Sequence, residues 1–122
     1  MKKIEPINIM NKFSLFYEEW TPKIIGELNG QYVKLCKLKD DFVWHHHEET
    51  DEAFIILKGE IHIEFEDHTV SLGEGEMLVV PKGVRHKPYA DQEAHVMLIE
   101  PKDVRNTGNI KDDFTAPNNK WV

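Results

Sequence analysis

The chain contains a single cysteine, Cys36, among 122 residues. One thiol cannot close an internal disulfide, so no covalent staple holds the fold, and a reducing compartment suits it. No stretch approaches the ~18 consecutive apolar residues of a transmembrane helix. The start, Met1-Lys2-Lys3-Ile4-Glu5-Pro6, is basic but lacks the apolar core of a secretory leader, so a cytoplasmic protein is expected. Positive charge is also scarce: 15 Lys and Arg stand against 22 Asp and Glu, for a net charge of -7. Nucleic-acid surfaces need clustered basic residues, and anionic membranes attract them, so neither is an expected partner. The acidic residues are scattered over turns and polar faces, where they serve solubility. There is no internal repeat and no linker.

What remains is an ordinary globule, 40% hydrophobic and 30% charged. The length fits one domain over 1–122, with a core at about 23–101, an N-terminal arm over 1–22 and a C-terminal tail over 102–122. The middle reads as about eight or nine short strands separated by turn signals, with little helix. Lys23 to Leu28 and Gln31 to Leu38 flank Asn29-Gly30, a strong hairpin signal. Phe42 to His47 reads as a further strand, and Ala53 to Leu57 as the next. From Gly59 the alternation is clear: Ile61, Ile63 and Phe65 share one face, and His62, Glu64 and Glu66 the other. Val70 and Leu72 return after a turn at Asp67-His68. Met77 to Val80 reads as a short buried strand ended by Pro81-Lys82-Gly83. Strands at Arg85 to Tyr89 and His95 to Glu100 complete the set. Many short strands with regular turns imply an all-β sandwich or barrel, which hides its edges. Before them, Phe13, Phe16, Tyr17 and Trp20 fall at helical spacing within Asn11 to Trp20. After them, Val104 to Val122 shows no period and predicts an irregular arm, packed on the barrel or a partner through Phe114 and Trp121.

The chemistry lies in the histidines. His45 and His47 stand two apart, which on a strand puts both on one face, roughly 6.5–7 Å apart, with His46 on the other. Two imidazoles at that span can converge on one metal ion. Glu52 and His86 supply two more ligands of the right type. Three neutral imidazoles and a carboxylate leave one or two positions open on a first-row metal, the layout of a catalytic rather than a closed site. His46, His62, His68 and His95 read as structural or exposed. Cys36 reads as a small apolar residue, with no His or Lys beside it placed to activate it. Glu48, Glu49 and Asp51 read as a solvated loop, and Arg85 and Lys87 should point outward by alternation. Phe54, Ile56, Pro88 and Met97 are candidate liners of a substrate pocket beside the ligands. No residue declares itself as a catalytic acid or base.

These residues carry a resemblance. His45-x-His47, four residues, Glu52, six residues, Gly59 resembles the first motif of the cupins. Gly75, five residues, Pro81-x-Gly83, two residues, His86 resembles the second, and fifteen residues separate Gly59 from Gly75. Together, in order and in spacing, they are similar to small single-domain cupins over roughly Phe42 to Pro101. Lys39 stands where family members often have Gly, and Ala90 where many have Asn; neither position is a ligand. The resemblance implies an antiparallel double-stranded β-helix, or jelly-roll barrel, with a short N-terminal helix or strand arm and an irregular C-terminal tail. It implies one divalent transition metal ion (Fe, Mn, Co, Ni, Cu or Zn) on His45, His47, Glu52 and His86, and a homodimer paired through the flanking segment that carries Ile7, Ile9, Phe13, Leu15, Phe16 and Trp20. Cupins host dioxygenases, isomerases, decarboxylases and lyases, as well as non-catalytic binders of small ligands or metals. A small metalloenzyme acting on a small organic molecule is the favoured expectation, with a non-catalytic binding module as the alternative. No DNA-binding helix pair is appended.

Overall fold

The hairpin signal at Asn29-Gly30 is realised as read. In the computed structural model, which describes residues 3–122, β1 (Lys23–Leu28) and β2 (Gln31–Asp41) pair antiparallel with Leu28 opposite Gln31. Asn29 and Gly30 both carry positive φ, 50° and 78°, as the tightest hairpin turn requires. Five further strands follow: β3 (Glu52–Lys58), β4 (Ile61–Glu64), β5 (Thr69–Leu72), β6 (Met77–Val80) and β7 (Lys87–Pro101). They form an antiparallel sheet in the order β1-β2-β7-β3-β6, with β4 joined to both β7 and β5. The all-β fold expected from the strand pattern, and the jelly-roll barrel that the resemblance implies, is the one found.

Alternation sorts the side chains into two clusters. Phe54 and Ile56 of β3, Ile61 and Ile63 of β4, and Val96 and Leu98 of β7 fill the barrel interior together with Cys36 and Leu38. The out-of-phase residues Ile25, Leu35, Leu57 and Met97 form an outer cluster, covered by Phe13 and Phe16 of the N-terminal arm. Both faces of the β1-β2-β7-β3 sheet are thus covered.

Several elements differ from the sequence reading, each for a local reason. The helix is α1 (Ile9–Phe13), earlier and shorter than Asn11 to Trp20, and it is capped by Asn8, whose side chain accepts from the Asn11 N–H at 3.0 Å. Its aromatics do not share one face. Phe13 and Phe16 cover the outer cluster, Tyr17 is exposed, and Trp20 turns through a positive φ of 56° to stack on Phe42 in the barrel interior. Phe42 to His47 is not a strand. The ladder with β7 shifts at a bulge between Leu38 and Asp40 and ends at Asp41, and His45 retains only an isolated bridge to His86. Met77 to Val80 is not buried throughout: β6 is an edge strand paired only with β3, leaving Met77 and Val79 exposed. The two strands expected at Arg85 to Tyr89 and His95 to Glu100 are one, β7, which bends outward at exposed Asp91 to Glu93. Fusion of that pair, and loss of the Phe42 strand, reduce the count to seven.

The tail is irregular, as expected, and packs on its own barrel. Phe114 meets Phe42 edge-on at 5.5 Å, and Trp121 meets Tyr32 at 5.9 Å. The last residues pair with β1: Ile24 N–H donates to Lys120 O (2.7 Å) and Val122 N–H to Ile24 O (3.1 Å).

Ile63 is fully buried while Val79 is half exposed at the edge. Ile63→Ala is therefore expected to cost about 3 kcal/mol in denaturant unfolding. Val79→Thr should cost less than about 0.5 kcal/mol.

Candidate metal centre

Two segments that belong to no common strand meet at one backbone bridge. His45 N–H donates to His86 O (3.0 Å), and His86 N–H donates to His45 O (2.9 Å). The turn at Pro81-Lys82-Gly83 binds both sides of the site. Gly83, at φ +80°, donates its N–H to His47 O (2.8 Å), and Lys82 N–H donates to Asp51 Oδ1 (2.9 Å) just before Glu52. A residue with a Cβ is strained at that φ, which explains the glycine. Asp51 is thus a tie between loops as well as a solvated residue.

The fold brings His45, His47, Glu52 and His86 together. All four are buried, and each offers a ligand atom within 4.8 Å of the others. Ligand atoms on opposite sides of a first-row ion stand about 4.2 Å apart, so adjustments of tenths of an ångström close the set on one centre. The tautomers favour it. Carbonyl oxygens only accept, so His45 Nδ1 donates to Val43 O and His86 Nδ1 to Val84 O, both at 2.9 Å. The Nε2 lone pairs are then the free ends, each ring oriented by a backbone partner in the way metal-bound imidazoles are held. Glu52 Oε1 lies 3.4 Å from His47 Nε2 and 3.7 Å from His86 Nε2, and all three atoms are buried without a hydrogen-bond partner. Acceptors facing one another repel unless positive charge sits among them. A proton serves one pair; a divalent ion serves the whole set.

Beside them is a cavity of about 30 Å³. It has room for one or two water molecules. Its walls are mostly apolar, from Trp20, Pro22, Leu38, Phe42, Phe54, Pro88 and Leu98, with Cys36, His45, Glu52, Glu100 and Asn106 completing them. Of the expected pocket liners, Phe54 and Pro88 are on this wall. Ile56 is fully buried in the barrel core away from it. Met97 is out of phase with Val96 and Leu98 and so lies against the outer cluster, on the opposite face of β7. The remaining histidines stand apart from the cluster: His62 stacks on Tyr89, His68 on Phe65 and His95 on Phe13. Arg85 lies over the Trp44 ring, and Lys87 pairs with Asp41 and Glu64.

Glu100 and Lys34 were not foreseen. The register that sets Ala53 opposite Ile99 puts Glu52 and Glu100 side by side on β3 and β7. From β2, Lys34 Nζ donates to Glu100 Oε1 at 2.9 Å, and both residues are buried, at 2% and 1% exposure. Glu100 Oε2 is left without a partner. Burial, and then the Glu52 charge beside it, push the Glu100 carboxyl well above the usual range, against the pull of Lys34. Burial also opposes ionisation of Glu52, but the His47 and His86 rings outweigh it and hold that carboxyl below the usual range. Burial, reinforced by both carboxylates, pushes the Cys36 thiol up, which keeps it from acting as a thiolate. A charge at Glu100, continuing the inward phase of Val96 and Leu98, was the available signal.

Burial, and then the neighbouring His86, lower His45 from the ordinary 6.5 to about 4. The unfolded chain therefore takes up this proton first as pH falls, and stability is lost between about 6.5 and 4. The shift corresponds to about 3 kcal/mol. In metal-free protein, His45→Gln should reduce the loss of unfolding free energy between those pH values by about that much, as read from denaturant curves.

The comparisons agree with the fold. The cupin domain family matches residues 35–100. A cupin-2 domain protein from Shewanella frigidimarina is 49% identical, covering 78% of this chain and 93% of that one, with a TM-score of 0.77. Protein NMB1881 from Neisseria meningitidis is 35% identical, covering 80% and 99%, with a TM-score of 0.73. A curated relative, the uncharacterized protein YdbB of Bacillus subtilis, is 41% identical over 64 residues. That match spans 52% of this chain and 57% of the relative's length. Fold, motif register and relatives converge: this chain belongs to the cupin domain family.

Proposed function

We propose that this chain is a metal-dependent cupin enzyme. His45, His47, Glu52 and His86 would hold one divalent transition metal ion. A small organic molecule would be its substrate. The observation that carries the reading is the meeting of His47 Nε2, Glu52 Oε1 and His86 Nε2, buried and unpartnered, around one point. When bound, the ion would supply Lewis acidity or a site for O₂. The protein's own contribution is separable. Val43 O and Val84 O orient two imidazoles, and the apolar wall of Trp20, Phe42, Phe54 and Leu98 excludes water. Glu100 is the second carboxyl on the cavity wall, and its Oε2 has no hydrogen-bond partner in the protein. A carboxyl beside the open position that a metal on these ligands would leave supports an enzyme over a passive binder.

The alternative, a module that binds a metal or small ligand without chemistry, is favoured by the small cavity. A molecule larger than about two waters must displace rim side chains to enter. A cytoplasmic setting fits both readings, since no helix among the described residues is long and apolar enough to cross a membrane. A homodimer is part of the proposal. Phe13, Phe16 and Trp20 are used by the chain's own core, but Ile4, Ile7, Met10, Leu15 and Tyr17 leave much apolar surface in one arm.

Metal analysis of untagged protein tests the ligand set. His86→Ala and His47→Ala should lose most of the metal while staying folded by circular dichroism, and His46→Ala should keep it. Full retention by His86→Ala refutes the assignment. Light scattering at micromolar concentration should give the mass of two chains; the mass of one chain refutes the dimer.

A further inference from the structure

The histidine segment lies outside every strand, so something else must fix its backbone. On one side it is tied to the barrel through His86 and Gly83. The N–H and C=O of His46, the peptide unit between the two ligands, face the other way. In a sheet, a further strand would pair them. Here a single residue of the C-terminal tail does so. His46 N–H donates to Asn109 Oδ1 (2.9 Å), and Asn109 N–H donates to His46 O (3.0 Å).

The approach is close enough to require glycine next door. Gly108 sits at φ +57°. A Cβ there would lie 2.2 Å from His46 O, 2.9 Å from His46 C and 3.1 Å from His45 Cδ2. None of these atoms is the free end of a flexible side chain; two are backbone, and the third belongs to a proposed ligand ring. The tail is anchored independently of this contact. Thr107 is fully buried and its hydroxyl meets Thr115 Oγ1 at 2.8 Å. Asn106 Nδ2 donates to Trp20 O (3.2 Å) and Phe114 O (2.9 Å), and its Oδ1 accepts from Ala116 N–H (2.9 Å). The tail is therefore a fixed wall against which the His46 peptide is pressed, with Asn106 reaching the cavity itself.

From this geometry we infer that Gly108 and Asn109 are positioning residues for the metal site. The tail acts as a surrogate strand that holds His45 and His47 in coordinating register. The inference rests on the metal-binding reading. Ligand geometry must be held to within about 0.5 Å, and loss of an outer support typically weakens metal binding 10–100-fold. A support that acts through backbone register should do the same.

The test is titration of metal-stripped protein with Co(II), read by its visible absorption, beside the thermal midpoint of the metal-free protein. Asn109→Ala should bind Co(II) about 10–100-fold more weakly than the unaltered chain, with a shifted absorption band. Asn109→Asp, which keeps the Oδ1 acceptor, should restore most of the affinity. Leu57→Ala, which removes packing from the outer cluster and touches neither the tail nor the site, should lower the thermal midpoint and leave Co(II) affinity unchanged. Gly108→Ala should behave as Asn109→Ala; the Asn109 pair decides the matter whether or not it folds. Equal Co(II) affinity and band position in the unaltered chain and Asn109→Ala overturn the inference alone. Absence of Co(II) binding by the unaltered chain overturns the metal reading and the inference with it.

Discussion

Two backbone hydrogen bonds between His45 and His86 hold the architecture of the site together. They are the point at which a loop leaving β2 and a turn preceding β7 become one surface. Everything chemical is arranged around that join. The same peptides that make it carry two imidazoles, and the carbonyls of Val43 and Val84, two residues back along each segment, turn those imidazoles in the same sense. The bridge is flanked by single backbone bonds between the same segments, Gly83 N–H to His47 O (2.8 Å) on one side and Phe42 N–H to Pro88 O (3.0 Å) on the other. It survives because glycine turns and loop contacts support it from both sides.

The electrostatics follow from what the barrel encloses. Three strands contribute Glu52, Glu100 and Lys34, Lys34 reaching Glu100 diagonally from opposite Leu98, and all three side chains are buried. Burying such groups costs several kcal/mol each unless charges are paired, and hydrophobic residues of the same volume would often be at least as stable. Lys34 compensates Glu100, which leaves the Glu52 charge to be met by whatever occupies the histidine cluster. A stability argument alone does not explain these three buried groups.

Much of this was legible in the sequence because the motifs encode geometry in spacing. His45, His47, Glu52 and His86 were selected from seven histidines and 22 acidic residues, and the fold brings those four together. The histidine segment is not the strand that the spacing suggests; its alternating burial comes from the His86 bridge and the tail. Strand phase placed Ile61 and Ile63 correctly, and applied to Met97 it would have put that residue outside. Edge position was invisible: Met77 to Val80 has the composition of a buried strand, and only pairing order distinguishes it. The tail contacts were beyond sequence reasoning. They join residues 63 apart through an asparagine and a glycine in a segment with no period, and they lie outside the matched family region, which ends at residue 100.

The length and position of β7 have a consequence for how the molecule comes into being. This strand is sequentially last but spatially central, and β2, β3 and β4 all pair with it. Such non-local pairing is slow to form. Until β7 has left the ribosome, the earlier hairpins have no common partner, and the histidine segment lacks first His86 and then Asn109 to lean on. In the emerging chain His45, His47 and Glu52 are therefore separated from His86, and the four residues share one pocket only once the last strand has closed the barrel.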